Sequence, residues 1–530
     1  MSTEVQTVSQ VLVAYPPKKW YHDWQALRLY LVLFPGVLFV SGTVGYDGSM
    51  LNGLQSLDTF KEFFHPTTAV TGLLNSSYGL GSILSFPFAP LIASRYGRRQ
   101  VVIVNSFIMF VGAALQGSAK NVGMFCVARI LFGFAATTST NSAPAYVAEL
   151  AHPRDRRFIT ALYNGTYYIG AIMAAWITYG TFPLTTTYGW RIPSYLQGAV
   201  ALINLVFVLF VPESPRYLIA RGRHEEAHRL LARIHGDGDD DLNNPLVKAE
   251  LAEITHHIEA ELNAYGGSVW NEFFTQPVHR KRLFLLAFIG QGMNWSGNGI
   301  VSYYLSKVLT VVGVTEQGDQ TKINGILQVV SFVTCLVASW VATWSRRRTQ
   351  FMVSIATMFF SFLAVTIANS VVAKDENNRH ASVSVIVFVF LFMCGYNWAF
   401  NPLAYAYPVE FLPYNIRTIG VSWLSLWCMG VGFANTWVNP VGLDSIGWKY
   451  YIVYVVWLPV EFAVVYLTFP ETKGYALEEV SAILDNDRFF NFRHGKIVEK
   501  RVQVTAVSQH ESSDLENSKT ASISVTEKVV

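Results

Sequence analysis

Asp47 stands inside a long apolar run, in Gly45-Tyr46-Asp47-Gly48-Ser49 and just after Val37-Leu38-Phe39-Val40. An ionised carboxylate at membrane depth is costly unless it is paired or meets water, so an acid there marks a working site by default. The competing reading is an acid at a helix end that touches the headgroup region. A cation inside the membrane would decide for the first. A second set of chemistry-bearing residues is spaced along the chain. Glu149 precedes Arg156 by seven positions, and Glu410 precedes Arg417 by the same seven. These residues fall at the ends of apolar runs, where helix termini leave unsatisfied carbonyls and partial charges. Opposite charges at such ends can latch two halves of a molecule together and part again, whereas simple topological anchoring would need the arginines and no acids. Arg98, Glu149, Arg156, Glu213, Arg216, Glu410, Arg417 and Glu471 are the candidate gate. No nucleophile stands beside a base and no histidines have metal spacing, so no catalytic residue, metal or cofactor is expected and the chain does not read as an enzyme. Cys126, Cys335, Cys394 and Cys428 all lie in apolar runs and read as small packing residues.

The elements that must carry these residues are membrane helices. The chain of 530 residues is 52% hydrophobic and 14% charged, against about 25% charged in an average soluble protein. Runs of spanning length, about 20 residues each, fall at roughly 29–49, 71–93, 101–117, 122–143, 158–181 and 192–211, then at 283–305, 323–343, 351–370, 383–406, 416–439 and 449–469. The fold class is therefore all-α and membrane-embedded, with twelve spans in two sets of six. The first 26 residues are polar and show no signal peptide. Arginine triplets (Arg95, Arg98, Arg99; Arg154, Arg156, Arg157; Arg346, Arg347, Arg348) occupy loops of one parity, and the opposite loops carry one or two basic residues each, such as Lys61, Lys120 and Lys449. The arginine-rich side is cytoplasmic by the positive-inside bias, and both termini with it.

The expected domains are a tail at 1–28, a six-helix half at 29–211, a cytoplasmic helical linker at 212–282, a second half at 283–470 and a tail at 471–530, disordered from about 487. Helical spacing recurs in the linker at 225–234 and from Leu251 to Ile258. The acidic run Asp237 to Asp241 between them lacks the spacing and closing Glu of a calcium loop and reads as a solvated turn. The halves are copies. Glu149 and Glu410 are 261 positions apart, Pro212-Glu213 and Pro470-Glu471 are 258 apart, and Arg98-Arg99 is answered by Arg346-Arg347-Arg348. Two repeated six-helix halves describe a carrier with its site at their interface near mid-membrane. A channel would need charge rings and a continuous polar lining, which the pattern lacks.

Pro212-Glu213-Ser214-Pro215-Arg216-Tyr217-Leu218 and Pro470-Glu471-Thr472-Lys473-Gly474 resemble the paired signatures of the sugar porter family in the major facilitator superfamily, and Arg95-Tyr96-Gly97-Arg98-Arg99 resembles its loop motif. The resemblance covers about residues 25–485. Gly45 to Ser49, Trp295-Ser296-Gly297-Asn298-Gly299 with Ser302-Tyr303-Tyr304, and Gly447 to Tyr451 are similar to the fungal lactose and cellodextrin permease group. This implies a major facilitator fold with a cytoplasmic helical insert, and import of a sugar (a disaccharide or a hexose) across the plasma membrane by proton symport. Arg129, inside the fourth run, is the cation for Asp47; proton-coupled members have an acid and an arginine at these places. The chain departs from the pattern at Ser94, at Ala342, Thr343 and Ser345, and at Asn294, where the family has Gln.

A sugar presents hydroxyls around its rim and C–H faces, so its site must offer amides, hydroxyls and aromatic planes. Asn164 falls where the family places a sugar-binding Gln, and Tyr405 where it often has a site Trp. With Asn294, Asn298, Tyr303, Gln328 and Asn435 they are the candidate substrate contacts; a lone membrane Asn otherwise serves helix packing. The expected partners are a sugar, a proton and lipid, without nucleic acid, around a monomer. Rival readings are a facilitator or exporter of a polyol or glycosylated metabolite, and a non-transporting sensor.

Overall fold

The computed structural model describes residues 22–236, 242–264, 273–276, 279–342, 344–375, 378–412 and 414–473, with Val11, Val480 and Leu484. The side chains of Asn164 and Arg417 lie outside the described ones, as do the acidic run at 237–241 and the tail from 487. Among the described residues every regular element is helical. Segment one is Trp24–Leu33 and Val40–Leu54; two is Thr68–Ser85 continued by Ala89–Tyr96; three to six are Arg98–Gly117, Val122–Leu150, Arg156–Thr181 and Tyr188–Val208. Three polar helices follow, Pro215–Ala220, His224–His235 and Pro245–Ala264. Segment seven is Arg280–Trp295 and Asn298–Val311; eight to twelve are Gln317–Ala342, Arg347–Val372, Arg379–Ala399, Tyr414–Ile446 and Tyr451–Thr468.

The sequence sets these boundaries locally. Asp23 caps segment one by accepting from the Gln25 N–H at 3.0 Å, and Asn121 caps segment four by accepting from the Met124 N–H at 2.8 Å. Pro35 cannot donate to a helical ladder, and segment one loosens there into a π turn, Phe34–Leu38, before it resumes. Eight spans, the last of which holds both segments eleven and twelve, are long and apolar enough to cross a membrane. Phe210, Trp340, Phe360 and Val456 point outward and exposed around the bundle. Such an apolar belt suits lipid, in which helices satisfy their own backbone.

The sequence repeat is a repeat of contacts. Glu213 accepts from the backbone N–H groups of Arg98 at 3.0 Å and Arg99 at 3.1 Å, capping segment three. Glu471 accepts from those of Arg347 at 2.9 Å and Arg348 at 3.3 Å, capping segment nine. Tyr146 donates to the Pro212 carbonyl, and Tyr407 to that of Pro470. Ser214 donates to Glu149, and Thr472 to Glu410. Arg98 then pairs with Glu149 at 3.7 Å, and Arg347 with Glu410 at 2.9 Å. A carboxylate at a helix N-terminus meets unsatisfied N–H groups and the positive end of the dipole, which explains why a glutamate follows the proline in both copies.

Every pair just named closes within one half; a latch between the halves, expected when the site faces outward, is not among them. Glu149 and Arg156 do not meet each other: helix four ends at Leu150 and helix five starts at Arg156, so the seven-residue spacing spans a turn. Arg156 instead reaches Glu250 of the linker helix at 3.4 Å. Arg216 opens the short helix Pro215–Ala220. The described hydrogen bonds that do cross the halves lie near mid-bundle or at the end away from the linker. Asn52 donates to Asn324 at 3.4 Å, the Asp58 N–H to Gln317 at 3.3 Å, and Thr68 to Asp444. The molecule is shut on the face opposite the linker.

Candidate functional site

Asp47 lies in the interior of helix Val40–Leu54, seven residues before its end, and is 2% exposed. The headgroup reading of this acid does not hold. Arg129, 1% exposed in segment four, donates from Nη1 to Asp47 Oδ1 at 3.1 Å. Gln197 of segment six donates Nε2 to the same oxygen at 2.9 Å. Three helices thus converge on one carboxylate. Close packing makes this possible: a Cβ on Gly45 would come within 1.9 Å of the Tyr167 carbonyl oxygen, so segments one and five cross backbone to backbone only because position 45 is glycine. One turn from Asp47, Asn204 donates to Thr43 at 2.7 Å and fastens segments one and six. A buried pair leaves a large penalty if one partner is removed, and it is retained here with a third group that satisfies a further lone pair.

A cavity of about 340 Å³ lies beside this pair, between the halves. The Arg129 guanidinium sits 5.9 Å from the centre of the Tyr78 ring, and Tyr78 also lines the cavity. One aromatic ring separates the ion pair from the space where a ligand would sit. Of the candidate contacts, Asn294, Asn298, Tyr303, Gln328 and Tyr405 line this cavity. Asn298 accepts from Ser302 at 2.8 Å through Oδ1, and its amide NH2 is left without a protein partner among the described residues. The Asn294 amide NH2 is already engaged, with the carbonyls of Gly290 at 3.2 Å and Cys428 at 3.0 Å. Of its side chain, only Oδ1 remains for a ligand.

Asn435 stands apart from the cavity wall. Its NH2 donates to the Asn294 carbonyl at 2.6 Å, and its Oδ1 accepts from Tyr454 at 3.1 Å. It acts through segment seven, which stops at Trp295 and restarts at Asn298 across Gly297, whose φ of +102° is the left-handed region that glycine tolerates. The freed carbonyl of Asn294 needs a donor at this break, and Asn435 supplies it. Sequence reading passed over other groups here. Asn75 and Asn141 line the cavity from segments two and four. Asn397 and Asn401, polar groups that the sequence offers on segment ten, are joined across the halves by Tyr168, which donates to Asn397 and accepts from Asn401 at 2.7 Å. Gln197 completes the pair. The signal was present as single polar residues in otherwise apolar runs, which sequence alone does not separate from helix-packing groups.

Residues 35–484 match the family model described as "Sugar (and other) transporter". The chain belongs to the sugar porter family. It is accordingly a multi-pass membrane transporter of the major facilitator fold and not an enzyme. Relatives share about a quarter of their residues with this sugar porter along nearly their whole lengths. The MFS-type transporter criB of Aspergillus cristatus is 26% identical, over 87% of this chain and 95% of its own. High-affinity glucose transporter 1 of Candida albicans is 26% identical, over 86% of each. Among solved structures, the inward-open conformation of the xylose transporter XylE from E. coli superposes with a TM-score of 0.70 at 18% identity, covering 86% of this chain and 99% of that one. That likeness concerns the fold.

Proposed function

We propose that this transporter imports a sugar across the plasma membrane together with a proton, as a monomer, by alternating access. The observation that carries the reading is the buried Asp47–Arg129 pair, one ring away from a polar cavity between two repeated halves. Support also comes from the similar glucose transporter of Candida albicans and from a structural neighbour titled a proton:xylose symporter bound to 6-bromo-6-deoxy-D-glucose. The linker and both termini lie on the cytoplasmic side, as the arginine-rich loops require, so the present state faces inward. Protonation of Asp47 in the outward-facing state frees Arg129 and Gln197 and lets segment one close over the sugar. Release of the proton to the cytoplasm restores the pair and resets the carrier. In the cavity, Asn298, Gln328 and the side-chain Oδ1 of Asn294 serve hydroxyls, and Tyr303 and Tyr405 offer faces. A cavity of about 340 Å³ is at the small end of ligand sites and fits one pyranose ring better than two.

The test is uptake of glucose, xylose, lactose, cellobiose and a polyol by cells that lack their own hexose transport and express this chain, with and without an uncoupler. A monosaccharide should accumulate, and the uncoupler should abolish that accumulation. Equilibration insensitive to the uncoupler would make the protein a facilitator, and failure on every sugar would overturn the cargo.

A further inference from the structure

Glu461 is a second acid at membrane depth, and the ion pair above makes no use of it. It lies in the middle of segment twelve, is fully buried, and neither carboxyl oxygen has a hydrogen-bond partner among the described residues. Its surroundings are specific. A Cβ on Gly292 would stand 2.4 Å from Glu461 Oε1 and 2.6 Å from the Phe400 ring, so the carboxyl occupies the space left by a missing side chain on segment seven. Gly292 belongs to the last turn before the break at Ser296 and Gly297. The carbonyls of that turn are individually served: Gly292 accepts from Ser296, Met293 from the Tyr396 hydroxyl at 3.0 Å, and Asn294 from Asn435 at 2.6 Å. A carboxylate here would be desolvated, without a partner, and set against the negative end of a helix dipole, whereas a neutral acid meets none of these penalties.

The charged and titratable groups on the packed elements stand elsewhere or are engaged. Lys281 and Arg282 of segment seven are about 15 Å away along the helix. Arg347 and Arg348 open segment nine at its far end and are held by Glu410 and the Tyr466 carbonyl. Segment ten offers Tyr396, whose hydroxyl is given to Met293. Lys449 and Tyr450 lie in the turn before segment twelve, and Tyr450 is bonded to Asn439 at 3.0 Å. Tyr454, on the same helix as Glu461, is bonded to Asn435 and Asn439.

We infer that Glu461 is a proton-binding site of the C-terminal half, occupied in this state, and that its proton keeps the break of segment seven, with Asn294 and Asn298, in its ligand-receiving shape. Loss of the proton places a charge against the Gly292–Asn294 turn and loosens it. The inference rests on the carrier reading only for its consequence in transport.

The experiment uses the full chain in lipid vesicles, without sugar and without a gradient, so its result is independent of whether symport is correct. Infrared absorption at pH 7 should show a protonated-carboxyl band that falls as pH rises. It should be absent from Glu461→Gln and retained in Asp47→Asn. Hydrogen exchange across 292–300, corrected for intrinsic rate, should quicken several-fold in the wild type as that band disappears and stay level in Glu461→Gln, a contrast that a purely structural role would not produce. A band equal in the wild type and Glu461→Gln overturns the inference. If the variant does not fold, a wild-type chain with no such band overturns it by itself.

Discussion

The two halves carry the same lock at their linker-side ends and different chemistry in their interiors. In both, a Pro-Glu carboxylate caps the third helix of the half, a tyrosine holds the proline carbonyl, and an arginine meets a glutamate. Inside the membrane the likeness stops. The N-terminal half buries an acid with an arginine and an amide; the C-terminal half buries Glu461 with no hydrogen-bond partner among the described residues. Arg129 is answered, 261 positions on, by Phe390. The polar helices His224–His235 and Pro245–Ala264 meet the N-terminal half, whereas Phe274, later in the linker, packs on Trp423 of the C-terminal half. His235 meets Glu250 at 2.6 Å and the Leu150 carbonyl at 3.2 Å, and Glu250 meets Arg156, all on the N-terminal half. What is duplicated holds helix ends in place, and what is unique to one half is where the proposed coupling and cargo selection would reside.

The largest blow to this contrast should come from Arg129→Ala. It strands a buried carboxylate, and unfolding in detergent should show a loss of about 3–5 kcal/mol, partly restored by adding Asp47→Asn. A loss no greater than that of a lock residue would break the distinction between interior and ends. Gly45→Ala tests how the N-terminal half brings its acid to its arginine. The added methyl has no room against Tyr167, and about 1–3 kcal/mol should be lost in the same assay. The packing of linker His235 against His152 predicts a pH effect. Burial, reinforced by the neighbouring His235, holds the His152 imidazole down at about 4 against an ordinary 6.5. A lowered histidine pKa means stability that is complete above 6.5 and lost as pH falls toward 4, about 2 kcal/mol of it by pH 5. Limited proteolysis of the linker helices should therefore accelerate between pH 7 and 5, and His152→Gln should blunt the change. The smallest effects belong to the lock: Glu149→Gln and Glu410→Gln should each cost about 1 kcal/mol, since both pairs are partly exposed. Cysteine accessibility on the two faces would show whether the copies contribute equally.

The twelve spans, the repeat and the Asp47–Arg129 pair were legible because each leaves a mark that needs no geometry: length, offset, or a charge in an apolar run. Partnerships were less so. Glu149 and Arg156 share a spacing with Glu410 and Arg417, yet a helix end between Glu149 and Arg156 sends these two elsewhere, and no sequence period reports that. Asn294, Asn298 and Tyr405 reach the cavity, whereas Asn435, one polar residue among several, turns to a broken helix instead. Glu461 escaped notice for the opposite reason. It sits in a strongly apolar segment, seven residues before the helix ends at Thr468. A lone acid so placed is overshadowed by the Pro470-Glu471 motif that follows, and only the packing against Gly292 sets it apart.

We propose above all that Asp47 carries the coupled proton. The measurement is transport by Asp47→Asn in vesicles, comparing counterflow of a labelled sugar with accumulation driven by an imposed proton gradient. If Asp47 carries the proton, counterflow persists while gradient-driven accumulation falls at least tenfold and loses its pH dependence. Accumulation by this variant at the wild-type level would contradict it.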